Sequence, residues 1–387
     1  MKIDKYRPSH WLKLIAFTIQ ASLGLLVRAT TKKSTVVLYG HKLNGNLLAL
    51  YKYTPNAIFL SMDRAYCREL KNQGIRCQWA CSIGAAELLA RAAAIISDHG
   101  LHSLELLLPA YQRSGLKCFD AWHGVPFKGF DSEDFRLQHQ YDEIWVASPL
   151  HRRLYIDRFG FTADKVTVTG YARTDVLIQP EQSAAKIREE LGLHQQGPLI
   201  LFAPTWSQDA RGRSLFPFGH SECEFLKALS VFAEKHQATV LLRTHLNSGA
   251  WKIQSYPHIL SISSSQWPDT ESILQISDIL ICDWSSIAFD YLLLDRPTFF
   301  LDVPAPFRKG FSLGPEYRFG PVVSSLPELL EQLKKALETG QEYWREYARQ
   351  HHSTREVIYG KWADGRATQR CLERLASHLK ATDESSR

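Results

Sequence analysis

The sequence predicts an α/β protein built from two doubly wound parallel sheets, and three observations predict it. Short, continuous apolar runs recur along the chain without the polar alternation of a half-exposed sheet, which is the mark of parallel strands buried on both faces. Most are followed by a stretch whose apolar side chains repeat with helical spacing, the alternation that puts helices on both faces of a sheet. The residues capable of chemistry collect where the apolar runs stop, and sheets of this kind bind ligands at the carboxyl ends of their strands. A chain of 387 residues is long enough for two such halves, each burying its own core.

Residues 1–33 stand outside the alternation. Residues 11–27 are apolar except for positions such as Lys13 and Gln20, with Trp11 at one end and Arg28, Lys32 and Lys33 at the other. These interruptions make a marginal bilayer span, which takes about 20 apolar residues. No small-residue cleavage site follows Val27, against a secretory signal. Basic flanks and a broad apolar face fit an amphipathic membrane-association helix lying in the cytoplasmic leaflet, and the competing reading is a helix packed on the protein's own core.

The first half spans residues 34–178. Strands are expected at 36–39, 57–60, 77–80, 94–97, 117–122, 144–147 and 166–168, with helices over 47–53, 64–73 and 82–91. Residues 179–197 are a polar, partly helical linker. The second half, residues 198–340, repeats the pattern with strands at 199–202, 239–242, 259–262, 279–281 and 297–301 and helices at 225–235, 270–277, 287–294 and 328–340. Residues 341–387 supply further helices, which either stay with this half or cross back to the first. No internal repeat is visible at the residue level. Two Rossmann-like domains facing across a cleft, the glycosyltransferase-B (GT-B) type of architecture, are what this pattern implies.

Bulk properties narrow the chemistry. The net charge of +6 suits anionic substrates or an anionic membrane surface, but the dense Lys/Arg runs of a nucleic-acid binder are absent. Seven cysteines, an odd number with no Cys-x-x-Cys pair, fit a reducing compartment and argue against a disulfide framework or a zinc site. Cys282 reads as a small core residue. His351 and His352 diverge on a helix and read as surface residues, so no metal is expected.

The strand ends carry the candidates. His123 follows a strand on a turn shaped by Gly124 and Pro126, with Lys128 close behind; an imidazole there suits a general base. Gly170 lets the backbone approach a ligand, Arg173 suits a phosphate or carboxylate, and Asp175 caps the turn or orients Arg173. Thr205 and Ser207 offer hydroxyls after residues 199–202. Arg243 and His245 point to the same side of an extended chain, a pair suited to a phosphoryl oxygen. Asp283, Ser285 and Ser286 lie between a strand and a helix, with the serines at the N-cap and first turn, where unpaired N–H groups favour an anion. Read alone, each of these residues has a structural alternative: a helix cap, a domain-boundary turn or a hydrogen-bonded histidine.

Taken in order, these segments resemble the CDP-glycerol glycerophosphotransferase family of teichoic acid primases and polymerases. The family's His-Gly-x-Pro-x-Lys segment is matched by residues 123–128, and its Gly-x-Pro-Arg-x-Asp segment by residues 170–175. An Ala-Pro-Thr-Trp segment falls at 203–206, an Arg-x-His-Pro segment at 243–246 and an Asp-Tyr-Ser-Ser segment at 283–286. The chain departs from the pattern at Ala172 and Leu246, where proline is usual, and at Trp284, where tyrosine is. All three border the expected nucleotide and phosphate contacts, so CDP-ribitol or another CDP-polyol stays open beside CDP-glycerol.

The resemblance implies transfer of a polyol phosphate from a CDP-polyol to a hydroxyl of a lipid-linked acceptor or growing glycopolymer, with CMP leaving and no cofactor. It implies an acceptor-binding first domain and a nucleotide-donor second domain, at the cytoplasmic face of the cell membrane. In that scheme His123 and His245 are catalytic, with either one the base; Arg243, Thr205, Ser285, Ser286 and Asp283 hold the donor; and Lys128, Arg173 and Asp175 line the cleft. Two other classes share these features: a GT-B glycosyltransferase using a nucleotide sugar, and a catalytically inactive protein that binds anionic glycopolymers.

Overall fold

Buried apolar strands pair where their backbone groups find partners out of water, and among the described residues every pair of neighbouring strands in both sheets is parallel. The computed structural model describes residues 7–193, 197–204, 216–243, 256–263, 267–305 and 307–385. It divides into two units: Met1–His123, Asp131–Arg173 and Arg366–Arg387 form unit 1, and Gly124–Phe130 and Thr174–Gly365 form unit 2.

Unit 1 opens with helix α1 (Pro8–Val27), then β1 (Thr35–Tyr39), α2 (Gly45–Tyr53), β2 (Ala57–Ser61), α3 (Arg64–Asn72) and β3 (Cys77–Trp79). It continues through α4 (Ile83–Arg91), β4 (Ala92–Ser97), α5 (Leu108–Arg113), β5 (Lys117–Asp120), β6 (Glu143–Val146), α6 (Pro149–Asp157) and β7 (Val166–Val168). Its sheet has the order β3-β2-β1-β4-β5-β6-β7.

Unit 2 contains α7 (Asp175–Ile178), α8 (Ala184–Glu190), β8 (Leu199–Ala203), α9 (Glu222–Lys235), β9 (Thr239–Leu242) and β10 (Ile259–Ser261). After these come α10 (Thr270–Ile276), β11 (Ile279–Cys282), α11 (Ile287–Leu292), β12 (Thr298–Leu301), β13 (Val322–Val323), α12 (Leu326–Glu338) and α13 (Gln341–Ile358). The sheet order β10-β9-β8-β11-β12-β13 is the doubly wound 3-2-1-4-5-6 order. The last helix, α14 (Ala367–Ser385), belongs to unit 1.

Helix α1 is both docked and exposed. Pro8 at its first turn suits the entry, since the missing N–H has no intrahelical partner there. Phe17, Ala21 and Gly24 form the buried stripe. Gly24 is required by close approach: a Cβ there would lie 2.6 Å from the Ala86 carbonyl of α4 and 2.9 Å from the Tyr111 hydroxyl. That hydroxyl donates to the Ala21 carbonyl at 2.6 Å. Just past the helix, the fully buried Arg28 donates to the carbonyls of Leu89, Ala90 and Ala92 at 2.9, 3.2 and 2.6 Å and to Ser114 Oγ at 2.7 Å. A cation is thereby placed on the orphan carbonyls at the end of α4, where the helix dipole favours it. The opposite face leaves Leu12, Ile15, Ile19 and Leu26 at 67, 55, 53 and 77% exposure.

The structure departs from expectation in places. Strand β5 stops at Asp120 rather than residue 122, because the Asp120 carboxylate accepts the Trp122 N–H at 2.7 Å and Trp122 turns to φ +38°. Helices α5 and α6 and the two-residue strand β13 fall outside the expected elements: α5 and β13 are too short for a clear periodicity, and α6 buries only His151 and Tyr155, a weak apolar pattern. His351 is buried, its Nε2 2.7 Å from the hydroxyl of Tyr343, which also bonds the backbone of Thr298 on β12. The expectation of two surface histidines holds for His352 alone, since Tyr343, His351, Thr354 and Ile358 form the inward face of α13.

Helix α14 is tied to unit 1 through Glu143 at the start of β6. Arg374 Nε donates to its two oxygens at 3.0 and 3.2 Å, and Trp145 Nε1 to Oε2 at 2.9 Å. Burial alone would raise this carboxyl, but His378, Arg374, Thr167 and Trp145 outweigh it and bring it down to about 2. A depressed carboxylate contributes stability that is complete above the ordinary glutamate range and disappears as pH falls through it toward about 2. The Glu143→Gln variant is therefore expected to lose stability at neutral pH and to show a flatter decline in this acid window, read by urea denaturation at a series of pH values.

Candidate functional site

In unit 1 the winding reverses between β1 and β4, and the crevice at their carboxyl ends is where a doubly wound sheet binds ligands. Three histidines stand at that edge: His41 beyond β1, His99 beyond β4 and His123 beyond β5. The His99 and His123 rings stack at 4.2 Å with 8° between planes, and His41 meets His99 edge-on at 4.7 Å. Asp98 holds both stacked rings. Its Oδ1 lies 2.7 Å from His99 Nδ1, and its backbone carbonyl lies 3.0 Å from His123 Nδ1. A carbonyl only accepts, so His123 Nδ1 carries the hydrogen and its Nε2 lone pair is left for a proton.

The turn that presents His123 is fixed from two sides. Asn46, buried on α2, donates to the carbonyls of Ala121 and Trp122, both at 2.7 Å, and accepts the Arg173 N–H at 2.9 Å. The Arg173 guanidinium donates to the His123 carbonyl. Arg173 thus supports the candidate base through its backbone. Asp175 opens α7 in unit 2.

The electrostatics separate the two stacked rings. The His123 ring is solvent-exposed yet closely surrounded by protein atoms. That crowding, with the positive charge of His99, Arg173 and His41, holds it well below the ordinary histidine value against the opposing bond to Asp98. Burial would lower His99 as well, but the charge and hydrogen bond of Asp98, with Asp120, outweigh it and raise His99. Burial pushes the Asp120 carboxyl up to about 7, with Asp98 adding to the rise and the Trp122 N–H opposing it. Sequence reasoning passed over His41, Asn46, Asp98, His99 and Asp120. The available signal was the Asp98-His99-Gly100 turn directly after the strand expected at 94–97, a strand end like those that were searched.

In unit 2, Gly124–Phe130 runs beside residues 309–312. Ser312 N donates to the Phe127 carbonyl at 3.0 Å and Gly129 N to the Gly310 carbonyl at 2.7 Å. A Cβ on Gly129 would sit 2.2 Å from the Lys309 carbonyl, so this approach needs glycine. Phe127 is buried among Trp284, Phe289 and Phe311. Lys128 pairs through its backbone with Phe311, and its ammonium lies 5.7 Å from the Phe130 ring centre.

The corner after β11 differs in detail from the expected cap. Ser286, not Ser285, is the residue before α11, with helical backbone angles and no side-chain capping bond. Ser285 Oγ accepts the Ile287 N–H at 3.4 Å. The buried Asp283 carboxylate accepts the Trp284 N–H at 2.6 Å. Trp284 is built into the core: its Nε1 donates to the Val303 carbonyl at 2.7 Å and the Arg318 guanidinium lies 3.4 Å from its ring centre. Arg243 follows β9 and is buried, its guanidinium donating to the Trp267 carbonyl at 3.1 Å and to Thr270 Oγ1 at 2.8 Å. Burial lowers it to about 10, so it stays charged at neutral pH. Thr205 and His245 lie outside the described residues.

Residues 25–377 match the family model described as CDP-glycerol:poly(glycerophosphate) glycerophosphotransferase. The chain is similar to the teichoic acid ribitol-phosphate polymerase TarK of Staphylococcus aureus, 26% identical over 74% of this chain and 58% of the relative. It is also 26% identical to a teichoic acid glycerol-phosphate transferase of the same species, over 68% of this chain and 72% of that protein. The chain therefore spans less than two thirds of the first of these relatives. The solved structure of the wall teichoic acid polymerase TagF, one variant of which was soaked with CDPG, has the same GT-B-type fold. It superposes with a TM-score of 0.74 at 20% identity, covering 97% of this chain and 99% of the other.

Asn46 satisfies three buried backbone groups at once, so Asn46→Ala is expected to lower stability by about 2 kcal/mol, measured by urea denaturation.

Proposed function

Because the chain belongs to the CDP-glycerol:poly(glycerophosphate) glycerophosphotransferase family, we propose that it transfers a polyol phosphate, most readily glycerol phosphate, from a CDP-polyol to an acceptor hydroxyl. The acceptor is a lipid-linked saccharide or a growing cell-surface glycopolymer, the class of product named for its relatives. The observation that carries the reading is the hydrogen bond from His123 Nδ1 to the Asp98 carbonyl, which leaves Nε2 as an acceptor at a doubly wound switch point.

In this scheme the acceptor oxygen attacks the phosphorus that bears the polyol, its proton passes to His123 Nε2, and the bond to the CMP phosphate breaks with its electrons. In-line displacement at phosphorus needs positioning and charge stabilisation above all. Ser285 and Ser286 are proposed to hold the donor diphosphate, with Asp283 fixing the backbone between them and β11. Arg243 acts through the buried charge it holds beside Trp267 and Thr270, and Arg173 through the backbone of His123. His245 and Thr205 keep the phosphate-stabilising roles that their motifs imply, and Lys128 and Asp175 remain lower-ranked cleft residues. Trp284, locked under Arg318, influences donor choice through the shape of its corner rather than by direct contact.

Helix α1 supplies the membrane contact in this reading. A helix of 20 residues is about 30 Å long, enough to cross a bilayer core, but Phe17, Ala21, Gly24 and Arg28 are occupied by unit 1, so one face remains for lipid. Leu12, Ile15, Ile19, Leu23 and Leu26 form that face, and it would lie along the cytoplasmic leaflet.

Incubating the purified protein with CDP-glycerol, CDP-ribitol and UDP-sugars is expected to yield CMP from a CDP-polyol in the presence of a lipid-linked acceptor. His123→Ala should lower that rate by about a hundredfold or more while the protein stays folded. Nucleotide release from UDP-sugars alone would replace this reading with a glycosyltransferase, and no turnover of any donor would favour a binding protein. The exposed-face variant Ile15→Asp/Ile19→Asp should lose flotation with anionic liposomes and keep its unfolding transition; unchanged flotation would refute the membrane contact.

A further inference from the structure

We propose that His99 is a positioning residue for His123: Asp98 clamps both imidazoles, and the stacked pair holds the His123 ring in place while taking for itself the one proton the stack accommodates. The inference deepens the reading of His123 as the base and rests on it for its catalytic consequence.

The geometry excludes a relay between the two rings. Their planes are 8° from parallel with centres 4.2 Å apart, so the ring nitrogens, whose hydrogens lie in those planes, do not aim at one another. What passes between the rings is charge and contact. Two imidazolium ions at that separation repel, so the stack favours a single proton. Asp98 decides where it resides. Its carboxylate is 2.7 Å from His99 Nδ1, whereas His123 receives only the neutral backbone carbonyl, at 3.0 Å. The stronger, charge-assisted bond draws the proton to His99.

The surrounding groups act in the same sense. Asp120, the last residue of β5, favours a charged His99. Arg173, from the segment after β7, and His41, after β1, disfavour a charged His123. His102, four residues past Asp98, is lowered chiefly by burial, with Glu105 opposing and Arg136 and His99 reinforcing. His123 is thus kept as an acceptor down to a pH at which a free histidine is largely protonated, with its ring face fixed by its neighbour. The device also limits the strength of the base, since a more acidic imidazolium gives a weaker acceptor.

The test is a ring-proton NMR titration of histidine-labelled full-length protein, with His123→Ala supplying the assignment, beside the pH profile of CMP release. In the wild type, His99 should take up its proton at a higher pH than His123. In His99→Gln the His123 resonance should titrate at higher pH, and the acid limb of CMP release should move with it. At a pH on that acid limb, below the His123 titration, the rate relative to pH 8 would then fall about threefold, the effect of half a pH unit. His99→Phe keeps an aromatic face without the charge; it should show the same titration shift with a smaller loss of rate at pH 8 than His99→Gln. An His123 titration unchanged in both variants would overturn the proposal. Failure of the wild type to release CMP from any CDP-polyol would instead remove the functional reading, with the ring titration still deciding the role of His99.

Discussion

Where β1 pairs with β4, and again where β8 pairs with β11, the chain winds away in opposite directions on either side, the arrangement that leaves a crevice at the carboxyl ends of those strands. Parallel pairing leaves little freedom here: each strand must be carried back by a connection over one face, and its last residues fall at the same edge as those of its neighbours. The loops after β1, β4 and β5 therefore converge whatever their sequence. Evolution of a site needs only the right side chains on three turns, and in unit 1 those are His41, Asp98 with His99, and His123.

The segment beginning at His123 shows how two requirements are met by one short stretch. The chain passes from unit 1 to unit 2 between His123 and Gly124. Upstream, Asn46 and Arg173 take up the carbonyls of residues 121–123. Downstream, Phe127 is buried among aromatic rings and Gly129 lies against residues 309 and 310. Within unit 1, a histidine whose turn is held by Asn46 and Arg173 loses little further freedom when a substrate arrives, which is what a positioned base requires. The same logic explains Trp284: the indole provides both ring area against Phe127 and an N–H for the Val303 carbonyl, so it serves the frame of the corner.

How much of this was legible follows from what each residue must satisfy. Strands such as residues 199–203 and 279–282 are readable because burial on both faces forces continuous apolar runs. His123 at its strand end, before Gly and Pro, reads alone as a hydrogen-bonded structural histidine as readily as a base, and it becomes a candidate only beside the other motifs that follow it in order. Asn46 is not, since it looks like any helix-start asparagine, and its three partners lie 75, 76 and 127 residues away. Asp98 and His99 were within reach as a strand end, but their pairing with His123 depends on which strands are neighbours. His351 shows the reverse error: a side chain expected at the surface is drawn inward where the buried Tyr343 hydroxyl offers it a bond.

Helix α1 reconciles two readings that sequence treats as rivals. Packing on the core and lying on a membrane each require an apolar face, and a helix with residues 12, 15, 19, 23 and 26 on one side and residues 17, 21 and 24 on the other has both. The buried side needs small residues, because only Gly24 and Ala21 let the backbone approach α4 and Tyr111. It also needs Arg28, whose buried charge would be costly without the carbonyls that surround it. The open side needs nothing but bulk, and it has Leu and Ile. Because the inward contacts hold the helix to unit 1, binding lipid through the outward ones would orient the histidine-bearing sheet relative to the membrane surface, a constraint that a flexible anchor would not impose.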